Sequence, residues 1–174
     1  MGLIAQSLKN SSPMRWPTRR TPQPIWTKSV GRTEIRHIQS LLWFLPSVYP
    51  GGDSWLANRL ADVIAGKAYC SIGGVGGRLG GVLIETPKGR RHSKISTFYV
   101  HPCLRRLGIG SHLLRLHNGR WRSDGIDTVH ITVSAECLNP LGAQLAHAGF
   151  RGIDQVPGRY REQSIESVFQ LSVH

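Results

Sequence analysis

Two arginines, two closely spaced glycines and a serine stand together in Arg105-Arg106-Leu107-Gly108-Ile109-Gly110-Ser111. The β-rich run Ile95 to Val100 ends shortly before them, and a helical pattern begins within them. Glycines let the chain bring several N–H groups within reach of one anion, and the unpaired amides and dipole of a new helix favour negative charge. A pyrophosphate fits those requirements. Arg105 and Arg106 add charge that does not titrate away, and Ser111 adds a hydroxyl. A tight strand-to-helix turn with solvent-exposed arginines accounts for the same spacing without a ligand. A second glycine cluster, Gly73-Gly74-Val75-Gly76-Gly77, invites a nucleotide-loop reading. It joins two β-like runs and does not complete GxGxxG, since Leu79 takes the sixth place counted from Gly74, so it reads as a hairpin turn.

The elements that must position the Arg105 to Ser111 turn follow from periodicity. Pro24 to Val30 reads as a first strand, and Thr33 to Leu45 as a helix that Pro46 ends, with Ile35, Ile38, Leu41, Leu42 and Leu45 as its stripe. Asp53 or Ser54 caps a second helix carrying Leu56, Leu60, Val63 and Ile64, closed by Gly66. Ala68 to Ile72, Leu79 to Glu85 and Ile95 to Val100 form a meander of three strands. The helix from Gly108 to about Ser123 directs Ile109, Leu113, Leu116, Leu114 and Trp121 inward. Thr128 to Val133 is a strand, Pro140 to Ala148 a short helix with Asn139 as N-cap, and Ile165 to Val173 a final strand after Gly149-Phe150.

The 174 residues suit one compact domain, expected over residues 24–174, behind a proline-rich basic arm over residues 1–23. No apolar run approaches the roughly 20 residues needed to cross a bilayer. Cys70, Cys103 and Cys137 form no CxxC pair, and a reducing, cytoplasmic setting is expected. The acid-free start, whose first acidic residue is Glu34, shares the composition of a mitochondrial transit peptide, but Pro13, Pro17, Pro22 and Pro24 oppose the amphipathic helix such a peptide needs. With 22 Lys and Arg against 10 Asp and Glu, the net charge of +12 calls for an anionic partner: a nucleic acid, a phosphorylated cofactor or an acidic protein.

The stretch Arg105-Arg106-Leu107-Gly108-Ile109-Gly110 resembles the Arg/Gln-x-x-Gly-x-Gly/Ala signature of the GNAT acetyltransferases, and Gly149-Phe150 resembles that family's second marker. The likeness extends over residues 24–174 in the order of elements. It implies an α/β fold of the α+β type, with a mixed, mostly antiparallel sheet of six to seven strands, splayed fourth and fifth strands and about four helices. It implies acetyl-CoA as cosubstrate and no metal. Carried over, Phe98, Tyr99 and Val100 line the pantetheine arm, Arg105, Arg106, Leu107, Gly108, Ile109, Gly110 and Ser111 hold the pyrophosphate, and Asn139 reaches the arm or the thioester end. His112 and His117, five apart, are expected at the surface or facing CoA.

Acetyl transfer needs an amine with its proton removed, a polarised thioester carbonyl and a proton for the departing thiolate. Many family members supply that proton from a tyrosine four residues before the Gly-Phe pair, a place held here by Leu145. The remaining candidates are Glu136, Tyr99, Tyr160 and Glu85, each with an ordinary structural role as its alternative. Some GNAT enzymes acetylate aminoacyl-tRNA and act as toxins, typically with that tyrosine, and a basic surface suits an acceptor such as tRNA or an acidic protein. A module that binds acyl-CoA or RNA without turnover is the competing expectation. No membrane association is expected, and a homodimer is compatible with either.

Overall fold

The computed structural model of the chain describes residues 23–158 and 165–174. Strand β1 (Ile25–Ser29) leads through a 3-10 turn, Arg32–Glu34, into helices α1 (Ile35–Leu41), α2 (Leu45–Val48) and α3 (Gly52–Ile64). Strands β2 (Tyr69–Val75), β3 (Arg78–Pro87) and β4 (His92–Val100) follow, then helix α4 (Ile109–Ser123), β5 (Thr128–Ser134) and α5 (Ala135–His147), and finally β6 (Arg151–Pro157) and β7 (Ile165–Ser172). All seven strands lie in one sheet in the order β1-β2-β3-β4-β5-β7-β6. Every pairing is antiparallel except β4 with β5. The mixed, mostly antiparallel α/β sheet matches the fold class expected from the sequence.

Pro46 is the first correction. It does not end one helix over Thr33 to Leu45: α1 stops at Leu41, and Pro46 sits in the first turn of α2, where its missing N–H has no helical partner to lose. The fifth helix arises from this break. The second correction concerns α5, which begins at Ala135, so Asn139 lies inside the helix rather than capping it. Ser134, extended at φ −68 and ψ 153, takes the cap position.

Alternation along β3 sends Val82 and Ile84 to one face of the sheet and Leu83 to the other. On the first face, Ile38, Leu42, Leu56 and Leu60 from the N-terminal helices pack against Ile72, Val82 and Ile84. On the second, Ile109, Leu113 and Trp121 of α4 and Leu145 and Phe150 cover Leu83, Ile95, Val129 and Ile131. The row Ile109, Leu113, His117, Trp121 repeats every four residues and forms the buried edge of α4. His117 therefore occupies the interior, contrary to the surface or cofactor-facing place expected for it. Leu116, expected inward, is 39% exposed.

The glycine cluster is a hairpin, as read. Gly76 and Gly77, with φ of 54 and 77, form the left-handed pair of a two-residue turn between Val75 and Arg78. Its neighbours serve packing. A Cβ at Gly81 would lie 2.7 Å from Ile109 Cγ2, and one at Gly80 would lie 2.4 Å from Leu104 Cδ1, so bare backbone lets the start of α4 settle on the sheet. At Gly74 a Cβ would meet the Arg78 carbonyl oxygen at 1.9 Å and the Trp26 ring at 2.6 Å. Gly74→Ala is expected to destabilise the protein by about 3 kcal/mol through overpacking against backbone. A urea midpoint equal to that of the unchanged protein would sink this expectation.

Candidate active site

Strand β4 pairs with β3 from Ser93 to Val100, but with β5 only from His92 to Ile95, opposite Thr128 to Ile131. Both strands then continue, β4 to Val100 and β5 to Ser134, without facing each other. The sheet is thus split by a wedge that opens toward the C-terminal ends of the two strands. Along the wedge, β4 from Thr97 to Val100 has strand partners on the β3 side alone. A bulge at Ile84/Glu85 leaves Ser96 as the extra residue and resets the alternation beyond it. Phe98 and Val100 consequently point into the core under α4, while Tyr99 points to the face of α1–α3. Two buried hydroxyls, Thr97 Oγ1 on β4 and Thr132 Oγ1 on β5, have no hydrogen-bond partner. Both stand just past the point where pairing ceases.

At the mouth of the wedge, β4 passes through the 3-10 turn Pro102–Leu104 into the Arg105 to Gly110 segment. Arg105 is extended, Arg106 has φ 63 and Gly108 has φ 90. Arg106 is the one described residue other than glycine in the left-handed region, a conformation that costs of the order of 1 kcal/mol and gathers at ligand clamps. Gly108 is the N-cap of α4 and carries no side chain to cap it, and the first bond within the helix runs from the His112 amide to the Gly108 carbonyl at 3.0 Å. The amides of Ile109, Gly110 and Ser111 are left pointing outward with the positive end of the helix dipole behind them. Left-handed Gly108 followed by helical Ile109 curves the chain so that these amides face the same side of the turn.

The surrounding side chains hold the turn in place. Arg105 Nε donates to the Val100 carbonyl at 3.0 Å, and the His112 ring donates from Nδ1 to the Gly108 carbonyl at 3.0 Å. No acidic side chain among the described residues pairs with Arg105 or Arg106. A Cβ at Gly110 would fall 2.1 Å from Gln144 Nε2, so α5 also closes against the first turn of α4. Sequence reasoning missed Gln144; its amide lies one residue before Leu145, with nothing local to mark it. Leu107 is 47% exposed at the rim, and Ser111 is exposed on the first turn of α4. The segment expected to hold an anion thus lies at the end of β4, the strand that carries Phe98, Tyr99 and Val100.

The catalytic candidates are not assembled in the same way. Tyr99 packs its ring on Phe44, 4.8 Å between centroids. Burial raises its pKa, against the opposing pull of Arg105, so the hydroxyl keeps its proton at neutral pH. Glu136 lies in the first turn of α5, with its side chain outside the description, and Tyr160 lies outside the described residues. Asn139 is exposed on α5. Glu85 is corrected outright: it is 1% exposed, under α4. It accepts from His117 Nδ1 at 2.8 Å, from Trp121 Nε1 at 2.7 Å and from Ser93 Oγ, and Arg120 NH2 pairs with it at 2.5 Å. Burial works to raise its pKa, and the donors of His117, Arg120 and Ser93 more than offset that, holding the carboxyl at about 2. A carboxylate so engaged has no capacity left for a substrate proton. Leu145, at the family's tyrosine position, is 0% exposed in the core. Just beyond α5, Gly149 turns left-handed at φ 91 and places Phe150 edge-on to Trp121, 6.4 Å between centroids.

No protein-family model and no curated protein matches the chain. Solved structures do. The ribosomal-protein-S18-alanine N-acetyltransferase from Escherichia coli is 15% identical and covers 86% of this chain and 94% of its own, with a TM-score of 0.70. The IAA acetyltransferase from Bacillus cereus is 15% identical, covering 86% and 99%, with a TM-score of 0.69. A GNAT family acetyltransferase from Elizabethkingia anophelis, with acetyl-CoA bound, is 12% identical over 85% and 97%, with a TM-score of 0.67. At such identities the likeness is one of fold.

Proposed function

Starting from a chain with the GNAT fold, we propose that it is an acetyl-CoA-dependent N-acetyltransferase that moves the acetyl group directly to a primary amine. The observation that carries this reading is the junction of wedge and turn. An arm with amide groups would find along β4 a strand edge without a partner, with the buried hydroxyls of Thr97 and Thr132 beside it. A pyrophosphate on the same molecule would find the amides of Ile109, Gly110 and Ser111, flanked by Arg105 and Arg106. The donor set fits acetyl-CoA at both ends. When bound, acetyl-CoA supplies an acyl group already activated as a thioester.

In this reading Phe98, Tyr99 and Val100 line the arm, Leu107 and Gly108 shape the rim, and Asn139, exposed on α5, reaches the arm or the thioester end. Protonated Tyr99 is suited to give a proton to the leaving thiolate, with Glu136 and Tyr160 as the other candidates for that role. The net charge of +12 supports an anionic acceptor: aminoacyl-tRNA, an acidic protein or a small anionic amine. The full burial of Leu145 favours a second reading, a GNAT-fold module that binds acyl-CoA or RNA without turnover. Release of free CoA, followed chromatographically with charged tRNA, peptides bearing acidic residues and small amines as acceptors, separates the two. Release that requires an acceptor supports transfer. Tight acetyl-CoA binding with no release on any of these acceptors overturns it in favour of the binding module.

A further inference from the structure

Beneath the C-terminal half of α4 lies a second group of chemistry-bearing side chains. His117 is eight residues beyond Ile109, so it stands about 12 Å along the helix from the anion turn. Its Nδ1 donates to Glu85 at 2.8 Å, and its Nε2 faces Ser71 Oγ at 3.0 Å. The order is hydroxyl, imidazole, carboxylate. Ionised Glu85 keeps the proton on Nδ1, which leaves Nε2 as an acceptor for the Ser71 hydroxyl. Ser71, His117 and Glu85 are 4%, 2% and 1% exposed.

Ser71 and His117 line a cavity of about 560 Å³ between β1, β2 and α4, with walls from Val30, Val63 and Leu116. That volume accommodates a small organic ligand. Arg120 lines the same cavity, its guanidinium 3.6 Å over the Tyr69 ring. Its charge is already answered by Glu85 and by Asp124, at 2.5 and 2.6 Å. A cavity with largely apolar walls and an answered charge suits a small uncharged ligand.

We propose that this cavity is a second site, at which Ser71 acts as a nucleophile toward small uncharged acyl esters. Ser71 Oγ bonds to the ester carbonyl carbon as its proton passes to His117 Nε2. The carbon–oxygen bond to the alcohol then breaks, and His117 returns that proton to the leaving oxygen. Water, deprotonated in turn by His117, attacks the acyl-serine, releasing the carboxylic acid and restoring Ser71. Glu85 holds the imidazole in its working tautomer.

The test uses p-nitrophenyl butyrate without CoA, comparing the unchanged protein with Ser71→Ala, and a fluorophosphonate probe located by peptide mass spectrometry. Ser71→Ala is expected to lose about 100-fold or more of the hydrolysis rate and all labelling, with acetyl-CoA binding unchanged as the check on folding. Ser71→Cys should keep a reactive nucleophile at the same place. Equal hydrolysis in the unchanged and alanine proteins, or a label on any residue but Ser71, overturns the proposal and leaves the three side chains as a structural polar network.

Discussion

Gly108→Glu is expected to weaken acetyl-CoA binding by at least about 100-fold. The new carboxylate would stand at the cap of α4, where the amides of Ile109, Gly110 and Ser111 converge with the helix dipole. Two like charges about 4 Å apart near a protein surface repel by roughly 4 kcal/mol at an effective dielectric of 20, more than the ~2.7 kcal/mol that a 100-fold change requires. Backbone strain adds to this, because Gly108 has φ 90 and an added Cβ would also lie 3.1 Å from Ile25 Cδ1. Gly119→Glu is the matched control: the same change in the same helix, at an exposed position with nothing within 4 Å of its Cβ. Isothermal titration with acetyl-CoA reads both. Comparable affinity in the two variants would remove the turn from cofactor binding, and with it the main support for the acetyltransferase reading.

The strand-to-helix turn from Arg105 to Ser111 is legible in the sequence because its determinants are local: two glycines, two arginines and a change of period within a dozen residues. The wedge beside it is not. The alternation of Thr128 to Ser134 identifies a strand but says nothing about where its pairing with β4 ends, which depends on the bulge opposite Ser96 and on β7 taking the other edge of β5. Pro46 misleads for a related reason: a proline that stops one helix equally well starts another, and only tertiary packing decides between them. At Asn139 and Pro140 the local cap signal lost to a helix already begun at Ala135. His117 was misplaced because the polar partner that admits it to the core, Glu85, lies 32 positions away in the chain. Helical periodicity reads Leu116 as the apolar member of that turn; the i, i+4 row from Ile109 to Trp121 puts the histidine inside instead.

Glu85→Leu is expected to cost about 3–5 kcal/mol of stability, despite introducing an apolar side chain into a core. Replacing a whole buried charge network with hydrocarbon can be neutral; removing one member is not, because its partners remain. Here the leucine would strand the Nε1 proton of Trp121 and the Nδ1 proton of His117, leave the Ser93 hydroxyl only its 3.3 Å contact with the Thr86 carbonyl, and leave Arg120 paired with Asp124 alone. For a chain of this size that loss corresponds to roughly 10 °C or more in Tm. Glu85→Gln should cost less, since the amide keeps one acceptor oxygen, but its NH2 group must face at least one of those donors. The pH dependence follows from the sign of the shift. The Glu85 carboxyl is held at about 2, against an ordinary value of 4.5. Its stabilising contribution is therefore complete above pH 5 and is lost as the pH falls through the interval down to about 2. Urea midpoints measured across that interval should decline more steeply for the unchanged protein than for Glu85→Leu, which has no carboxyl there to protonate. Parallel declines, or a leucine variant as stable as the parent at pH 7, would show that the buried carboxylate does not hold α4 to the sheet.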